Sequence, residues 1–406
     1  MIPYIYQYQK EMGVCSMSNF DSVLQRRQTR SLKWDMMEKV YNLEDASDIL
    51  PMWVADMDFM APQPVLDAIQ EQLKHGILGY SYVCEGCKKA IISWFETRHH
   101  WTIDSSTILF HLGVIPIIAT VIETFTKEND QIGMMTPVYP PFFNLPTNQH
   151  RRITQVTLIE QEGIYSIDFE QLGRTFKDGV KLFILCNPHN PGGIVWTGDD
   201  LQRIVDLAIQ YDVLILSDEI HADLIMKGHQ YTPLLTLPNA SDAKIITAIA
   251  PTKTFNLAGI QAAMMVVPND ELRARLELNA TAHGHTNLNV FASVAVQAAY
   301  TYGVAWLDEL LQYIERNMDY CIDELNVIPG IHVRKPEGTY LMWIDYRATK
   351  LTEEEMMNRL LHKGKVALEP GTKYGEAGRG FLRINIACPF EMLQDGIERF
   401  KKALQQ

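Results

Sequence analysis

The sequence lacks several features that define whole classes of protein. Its 406 residues hold six cysteines, too few for a disulfide framework in a chain of this length, so we expect a reducing compartment. No run of about 18 or more apolar residues occurs, which predicts no membrane span. The first residues lack the basic and apolar segments of a signal peptide. We therefore expect a cytoplasmic protein that does not act at a membrane.

Positive charge is also in short supply. Lysine and arginine number 36 against 49 acidic residues, which gives a formal net charge of −13. Proteins that coat nucleic acids or anionic membranes need clustered Lys and Arg, so we expect neither partner. The one dense basic stretch comprises Arg26, Arg27, Arg30 and Lys33. Because it is short, we interpret it as a solvated face.

No metal site or common nucleotide-binding loop is predicted. Cys84 and Cys87 have a two-residue spacing, but no second pair completes a zinc site. No Walker loop or Gly-x-Gly-x-x-Gly motif follows a strand.

What the sequence does contain is a strong α/β pattern. Apolar residues make up 47% of the chain, enough for a large core, and short apolar runs alternate with segments of helical period. Runs this apolar are typical of strands buried on both faces. We predict a three-layer αβα fold around a seven-stranded, mostly parallel sheet. The predicted strands are residues 107–113, 131–137, 151–158, 180–187, 213–218, 244–251 and 262–267.

The C-terminal part has a different pattern. A long helix broken near Gly303 leads into strands at 331–334, 339–345 and 381–386 and a helix at 353–363. This mixture predicts a smaller α+β domain. We divide the chain into an N-terminal extension (1–16), an arm with part of the small domain (17–60), the large domain (61–298) and the small C-terminal domain (299–406).

One junction between a strand and a helix has the features of an anion site. Gly113 follows the first predicted strand, and Val114 and Ile115 begin a helix. Free amides at a helix N-terminus favour phosphate binding. A plain turn is the alternative interpretation.

Three polar residues follow other strands at the edge where open α/β sheets bind ligands. Asn187 precedes a loop rich in proline and glycine, Asp218 ends an apolar strand, and Lys253 comes just after another. A buried aspartate needs hydrogen bonds or a cation, or it becomes protonated, although a helix cap is an alternative. A desolvated lysine becomes a nucleophile, although most single lysines are surface residues. The combination predicts a catalytic site.

These segments resemble the pyridoxal-phosphate (PLP) enzymes of fold type I, the aspartate aminotransferase superfamily, and within it the cystathionine β-lyase (C–S lyase) branch. The likeness covers nearly the whole chain from about Phe20. His189 and His221 favour the lyase branch. Further matching segments are residues 33–35, 50–59, 79–82, 137–142 and 383–389.

The resemblance implies a role for each strand-end residue in binding pyridoxal 5'-phosphate. Lys253 would form the Schiff base with the cofactor, Asp218 would pair with its pyridinium nitrogen, and Tyr139 would stack on its ring. Asn187 would hydrogen-bond the phenolic oxygen, with help from His221.

The same resemblance assigns the phosphate and substrate contacts. The phosphate would lie on the amides after Gly113, at Val114 and Ile115, and on the Thr252 hydroxyl. Tyr80 would reach it from a partner subunit, which implies a homodimer with shared active sites. The substrate-binding residues would be Arg383, which holds the α-carboxylate, together with Trp53 and Asn187.

Two departures bear on the branch and the substrate. Gln261 stands where many aminotransferases have a phosphate-binding arginine, and the lyase branch commonly lacks that arginine too. Tyr374 stands where phenylalanine is commoner. The expected activity is β-elimination of cystathionine or another small thioether amino acid to a thiol, pyruvate and ammonia. An aminotransferase with the same site, or a regulatory protein-binding role on this fold, are the alternatives.

Overall fold

The computed structural model describes residues 18–285 and 287–405, so the predicted extension 1–16 lies outside the described residues. Its centre is a seven-stranded sheet in which β7 alone runs antiparallel to its neighbours. The strands, in chain order, are β1 (Ile108–His111), β2 (Gln131–Thr136), β3 (Arg152–Thr157), β4 (Val180–Cys186), β5 (Leu214–Asp218), β6 (Ile245–Ile249) and β7 (Ala263–Val266).

All seven predicted strands are confirmed, each trimmed by up to three residues at its ends. Their spatial order is β1-β7-β6-β5-β4-β2-β3. Strands β4, β5 and β6 occupy the middle of the sheet and are buried along almost their whole length. Because they are parallel, their C-terminal ends lie at one edge of the sheet.

Helices cover both faces of this sheet, which confirms the predicted three-layer α/β fold. The helix Val114–Phe125 buries its apolar stripe against β2, β4, β5 and β6, whereas Gly198–Tyr211 packs on the opposite face. Two helices that we did not predict, Pro141–Asn148 and Phe169–Lys177, complete the layers. The other helices up to residue 325 are Leu32–Asp35, Met37–Tyr41, Gln63–His75, Glu85–His99, Pro251–Thr254, Asp270–His283, Val290–Tyr302 and Val304–Leu325.

The C-terminal region forms a second, antiparallel sheet of four strands. Its order is His332–Val333, Leu341–Asp345, Phe381–Asn385 and Glu369–Pro370. The helix predicted at 353–363 consists of an α-helix, Glu353–Asn358, followed by a π-helical turn, Arg359–Gly364. The closing helix spans Phe390–Leu404. These elements match the expected α+β pattern, while the domain boundaries stay a prediction.

Two small strand pairs complete the described structure. Leu50–Pro51 pairs in parallel with Val366–Ala367, so the N-terminal arm joins the C-terminal region. Ile159–Gln161 and Ile164–Ser166 form a hairpin.

In the described ranges, no single helix is long and apolar enough to cross a bilayer. The helices Val290–Tyr302 and Val304–Leu325 reach the required length and hydropathy only together, and they are bent by 76°.

The interpretation of the basic stretch as a solvated face is wrong for two of its residues. Lys33 is only 1% exposed, and its ammonium lies 2.6 Å from a carboxylate oxygen of Asp58. Arg26 bonds the other oxygen of Asp58 at 2.6 Å and also Asp56 at 2.7 Å. The basic residues therefore neutralise the buried Asp58 and the partly buried Asp56, which the surrounding sequence does not indicate.

Candidate active site

The sheet brings the predicted strand-end residues together. Strands β4 and β5 are paired so that Cys186 lies opposite Asp218, and Asn187 follows directly. Strand β6 lies next to β5 and leads into the short helix Pro251–Thr254, which carries Lys253. Three adjacent parallel strands thus present an amide, a carboxylate and an amine at one edge.

Among the residues that the structure describes, no carboxylate pairs with Lys253. Its Nζ donates a hydrogen bond to the backbone carbonyl of Ala55. Burial and the nearby charge of Arg383 lower the pKa of Lys253 to about 8, although Asp56 and Asp218 act in the opposite direction. This amine therefore becomes neutral, and able to accept a proton, at a lower pH than an ordinary lysine.

Asp218 is a carboxyl group in an apolar environment. It is 4% exposed, and one of its oxygens accepts a hydrogen bond from the backbone N–H of Ile220. Burial raises the pKa of Asp218 to about 7, while that hydrogen bond and the charge of Lys253 lower it only in part. Such a group gains strongly from a cation placed beside it.

Asn187 and His221 have unused hydrogen-bonding capacity. Asn187 is fully buried, its Nδ2 donates one hydrogen to the carbonyl of Thr232 at 3.2 Å, and its Oδ1 has no partner among the described residues. The Nδ1 of His221 is buried and unpartnered in the same described part of the chain. Burial, with the charges of Lys253 and Arg383, lowers the pKa of His221 to about 3, so the ring is neutral and Nδ1 can donate or accept.

The predicted phosphate end has the expected backbone arrangement. Gly113 precedes the helix that begins at Val114 and Ile115, and the N–H groups of these first residues have no acceptor within the helix. The backbone of Gly113 is extended, and an added Cβ would make only an ordinary contact with Pro116 at 3.5 Å. Thr252 lies in the short helix beside Lys253 and is 8% exposed.

Tyr139 belongs to the same constellation. It follows β2 at the same edge of the sheet, and its side chain is partly buried. Burial raises the pKa of Tyr139 to about 12, with Arg383, Asp218 and Glu369 among the charges it senses. Its phenol therefore stays protonated, which suits a ring that packs on a ligand.

Arg383 lies in the four-stranded sheet and is almost fully buried, at 2% exposure. Its Nη1 donates to the side-chain oxygen of Asn190 at 3.1 Å, and its Nη2 donates to the backbone carbonyl of Trp53 at 2.9 Å. Nη2 also donates to Glu369 at 2.6 Å. Trp53 thus contacts Arg383 through its backbone, while its indole N–H bonds the carbonyl of Lys33 at 3.0 Å.

Tyr80 does not join this cluster within one chain. Its side chain is fully exposed, in the segment that follows the helix Gln63–His75. Exposed apolar side chains surround it in sequence, at Leu73, Ile77, Leu78 and Tyr82.

Four contacts at the site were not found from the sequence. Ala55 accepts from Lys253 and also from the Tyr340 hydroxyl at 2.9 Å, and Asn190 and Glu369 hold Arg383. Backbone carbonyls leave no mark in a residue pattern. Asn190, in contrast, lies in the predicted loop after β4, where an amide side chain was a visible signal.

The donors and acceptors fit pyridoxal 5'-phosphate. The cofactor needs an amine for its aldehyde, a carboxylate for its ring nitrogen, a hydrogen-bond donor for its phenolic oxygen and amides for its phosphate. The site offers Lys253, Asp218, the spare Asn187 hydrogen and the helix that begins at Val114. The buried and unpartnered Nδ1 of His221 also indicates that this environment is completed by a polar ligand.

Comparisons with known proteins agree with this geometry. Residues 47–400 match the family model "Aminotransferase class I and II". The chain is 42% identical to the cystathionine β-lyase PatB of Bacillus subtilis, over 95% of this chain and 100% of that protein. The structure resembles cystalysin from Treponema denticola, which contains pyridoxal 5'-phosphate, with a TM-score of 0.92, 35% identity and coverage of 96% and 99%. It also resembles a PLP-bound C–S lyase from Staphylococcus hominis, with a TM-score of 0.90, 31% identity and coverage of 97% and 100%.

Proposed function

The chain belongs to the class I and II aminotransferase family, and from that premise we propose that it is a PLP-dependent carbon–sulfur β-lyase. Its substrate is a small amino acid with a thioether at the β-carbon, such as cystathionine. The overall reaction takes the thioether and water to a thiol, pyruvate and ammonia. The observation that carries the proposal is end-to-end similarity to a named cystathionine β-lyase, joined to a lysine, an aspartate and an asparagine at one sheet edge.

The cofactor would be held at both ends of its ring. Lys253 would bind its aldehyde, Asp218 its ring nitrogen and Asn187 its phenolic oxygen, while the amides after Gly113 and the Thr252 hydroxyl would hold its phosphate. When bound, PLP supplies an aldehyde for the substrate amine and a ring that delocalises the electron pair left at the α-carbon. Tyr139 would pack on that ring.

The proton transfer is assigned to Lys253. With a pKa near 8, the neutral amine accepts the α-proton of the substrate at slightly alkaline pH. Asp218 would keep a proton on the ring nitrogen, because an anionic carboxylate in an apolar environment is stabilised by an adjacent cation. The burial that raises the pKa of the Asp218 carboxyl therefore strengthens this pairing.

The substrate carboxylate would bind Arg383. Its guanidinium is buried near Tyr139 and Lys253, so it can orient the α-carbon towards the lysine amine. Arginine holds a carboxylate through two parallel hydrogen bonds, which lysine cannot do.

We further propose a homodimer with shared active sites. The support is the exposed apolar segment around Tyr80 defined above, since large contiguous apolar patches are uncommon on free surfaces. In the dimer, Tyr80 would reach the partner's phosphate. Light scattering should give twice the chain mass of 46.4 kDa, and Tyr80→Phe should weaken cofactor retention without changing that mass. A monomer that keeps full activity would contradict the shared site.

The compartment is proposed to be the cytoplasm. All five cysteines in the described ranges are free thiols, and four of them are buried, which suits a reducing environment.

The decisive experiment is a substrate panel without any keto acid. The purified holoenzyme is given cystathionine, an S-alkylcysteine, and an amino acid without a β leaving group. We expect steady release of thiol and pyruvate from the first two alone. Turnover that requires an added keto acid would contradict the lyase and support the aminotransferase.

A further inference from the structure

The partners of Arg383 carry an inference about how this site accepts its substrate. This inference rests on the proposed function only in that Arg383 binds the substrate carboxylate. Three groups already hold the guanidinium, and one of them, Glu369, is itself a carboxylate. The substrate therefore meets an arginine that is not free.

The geometry of the guanidinium makes this a direct competition. A carboxylate binds arginine bidentately along one of two edges, either Nη1 with Nη2 or Nε with Nη2. Both edges require a hydrogen on Nη2. In this structure Nη2 donates to the Trp53 carbonyl at 2.9 Å and to Glu369 at 2.6 Å, so both of its hydrogens are in use. The Nε hydrogen, by contrast, has no partner in the described part of the chain.

Of the two Nη2 partners, Glu369 is the one that can leave. The Trp53 carbonyl is part of a buried backbone segment, and its indole is fixed to Lys33. Glu369 is a flexible side chain that is 13% exposed. Its backbone is paired directly opposite Arg383 in the four-stranded sheet, so the two side chains are neighbours whether or not they are bonded.

Glu369 also has other partners within reach. The hydroxyl of Tyr374 donates to the same carboxylate oxygen that binds Arg383, and the ammonium of Lys373 lies 3.5 Å from the other oxygen. Lys373 is in turn placed over the rings of Tyr41 and Trp53, at 5.9 and 5.8 Å from their centroids. A carboxylate that releases Arg383 therefore stays paired with a cation and a hydroxyl.

We propose that Glu369 is a specificity-determining residue that occupies the carboxylate site of Arg383 and is exchanged for the substrate α-carboxylate on binding. In the free enzyme it neutralises a buried guanidinium. On binding, Glu369 releases Arg383 and keeps its contacts with Lys373 and Tyr374, and the substrate carboxylate takes the vacated Nη2 hydrogen. Because the substrate must displace Glu369, its carboxylate binds Arg383 more weakly than it would bind a free arginine. Only an anionic ligand compensates for the lost Arg383–Glu369 pair, so amides and esters are rejected.

The test measures binding rather than turnover. The probe is 3-(methylthio)propionate, which carries the carboxylate and the thioether but no amine to react with the cofactor. Its dissociation constant for the holoenzyme is measured by calorimetry, with the corresponding neutral amide as the control ligand. Glu369→Gln is expected to bind the acid about tenfold more tightly, with no gain for the amide.

Three variants separate exchange from a general effect of charge. Glu369→Asp keeps the negative charge but shortens the side chain, so it holds Arg383 less well. Exchange therefore predicts tighter binding of the acid, whereas a general effect of the charge predicts no change. Lys373→Met removes the alternative partner of Glu369 and is expected to weaken binding about threefold. Glu376→Gln removes a carboxylate that is paired with Arg379 on the surface, and it should leave the dissociation constant unchanged.

Each outcome decides the matter. Unchanged binding in Glu369→Asp, or unchanged or tighter binding in Lys373→Met, overturns the exchange even if Glu369→Gln does not fold. Arg383→Ala separates the two proposals, because it must abolish binding of the acid if Arg383 is the carboxylate site. If Arg383→Ala binds the acid normally, the assignment of Arg383 under the proposed function fails instead.

Discussion

Two aspartates of this protein are almost equally buried but have opposite electrostatic environments. Asp58, in the N-terminal arm, is 3% exposed, and Asp218, at the end of β5, is 4% exposed. Burial alone would raise both pKa values. For Asp58, however, Lys33 and Arg26 outweigh burial and lower the pKa below its usual value, whereas for Asp218 the pKa rises to about 7.

The difference lies in how completely each charge is paired. Asp58 has two cations at 2.6 Å and an indole N–H donor, from Trp34, at 2.9 Å. Asp218 forms no ion pair within 4 Å in the described part of the chain and accepts one backbone hydrogen bond there. A buried charge with all its partners supports the fold, while one with too few partners is prepared for a ligand. The two buried lysines differ in the same way, since Lys33 is paired with Asp58 and Lys253 forms no ion pair in the described part of the chain.

The largest effect is expected for Lys253→Ala. Because Lys253 forms no ion pair in the described structure, its removal should leave the melting temperature of the cofactor-free protein almost unchanged. Turnover of cystathionine should fall by about 10³-fold or more, since the group that moves the α-proton is lost. The assay is pyruvate release, with the surface variant Lys74→Ala as the control. Residual turnover within tenfold of the natural enzyme would contradict the role of Lys253.

Asp58→Asn, in contrast to Lys253→Ala, should lower the stability of the fold. It leaves the buried Lys33 without its close carboxylate, while Arg26 keeps its pair with Asp56, and breaking a buried pair costs about 3 kcal/mol in the free energy of unfolding. Urea titration near neutral pH measures this loss. The loss should vanish in acid, because a group with a lowered pKa stabilises the fold above its unfolded value, 3.8, and ceases to do so once protonated. A variant as stable as the natural protein near neutral pH would mean that Asp58 is not the structural charge inferred here.

Asp218→Asn should change the stability of the fold in the opposite direction to Asp58→Asn. With a folded pKa near 7 and a usual value of 3.8, the folded state binds more protons, so stability falls as pH rises between these values. Cofactor-free Asp218→Asn should therefore be more stable than the natural protein above about pH 7, by about 1 kcal/mol, and equally stable below about pH 4. Urea titrations at both pH values measure it. A variant that is less stable at alkaline pH would overturn the view of Asp218 as an under-paired charge.

Much of the fold could be predicted because it depends on local pattern. Runs of six to eight residues marked all seven strands of the central sheet, and polar residues at or just after their ends marked Asn187, Asp218 and Lys253. Helix Pro141–Asn148 was missed because its sequence contains proline at two positions, which normally argues against a helix interior.

The ion pairs could not be predicted in the same way. Lys33 and Asp58 are separated by 25 residues, and Arg383 is far from Trp53 in sequence and bonds its backbone carbonyl. In both cases the partner is brought in by the fold, so a window of sequence shows only a basic run or a lone arginine. The error over Lys33 arose for this reason.

The smallest effect is expected for an ion pair that is mostly exposed to solvent. Lys74 and Glu71 form a pair at 3.3 Å with side chains that are 64% and 77% exposed. Glu71→Gln should change the free energy of unfolding by less than about 0.5 kcal/mol, because solvent screens the pair. Measured by the same urea titration as Asp58→Asn, it gives the baseline for that comparison. If Glu71→Gln cost as much as Asp58→Asn, burial and complete pairing would not be what distinguishes the structural charges of this protein.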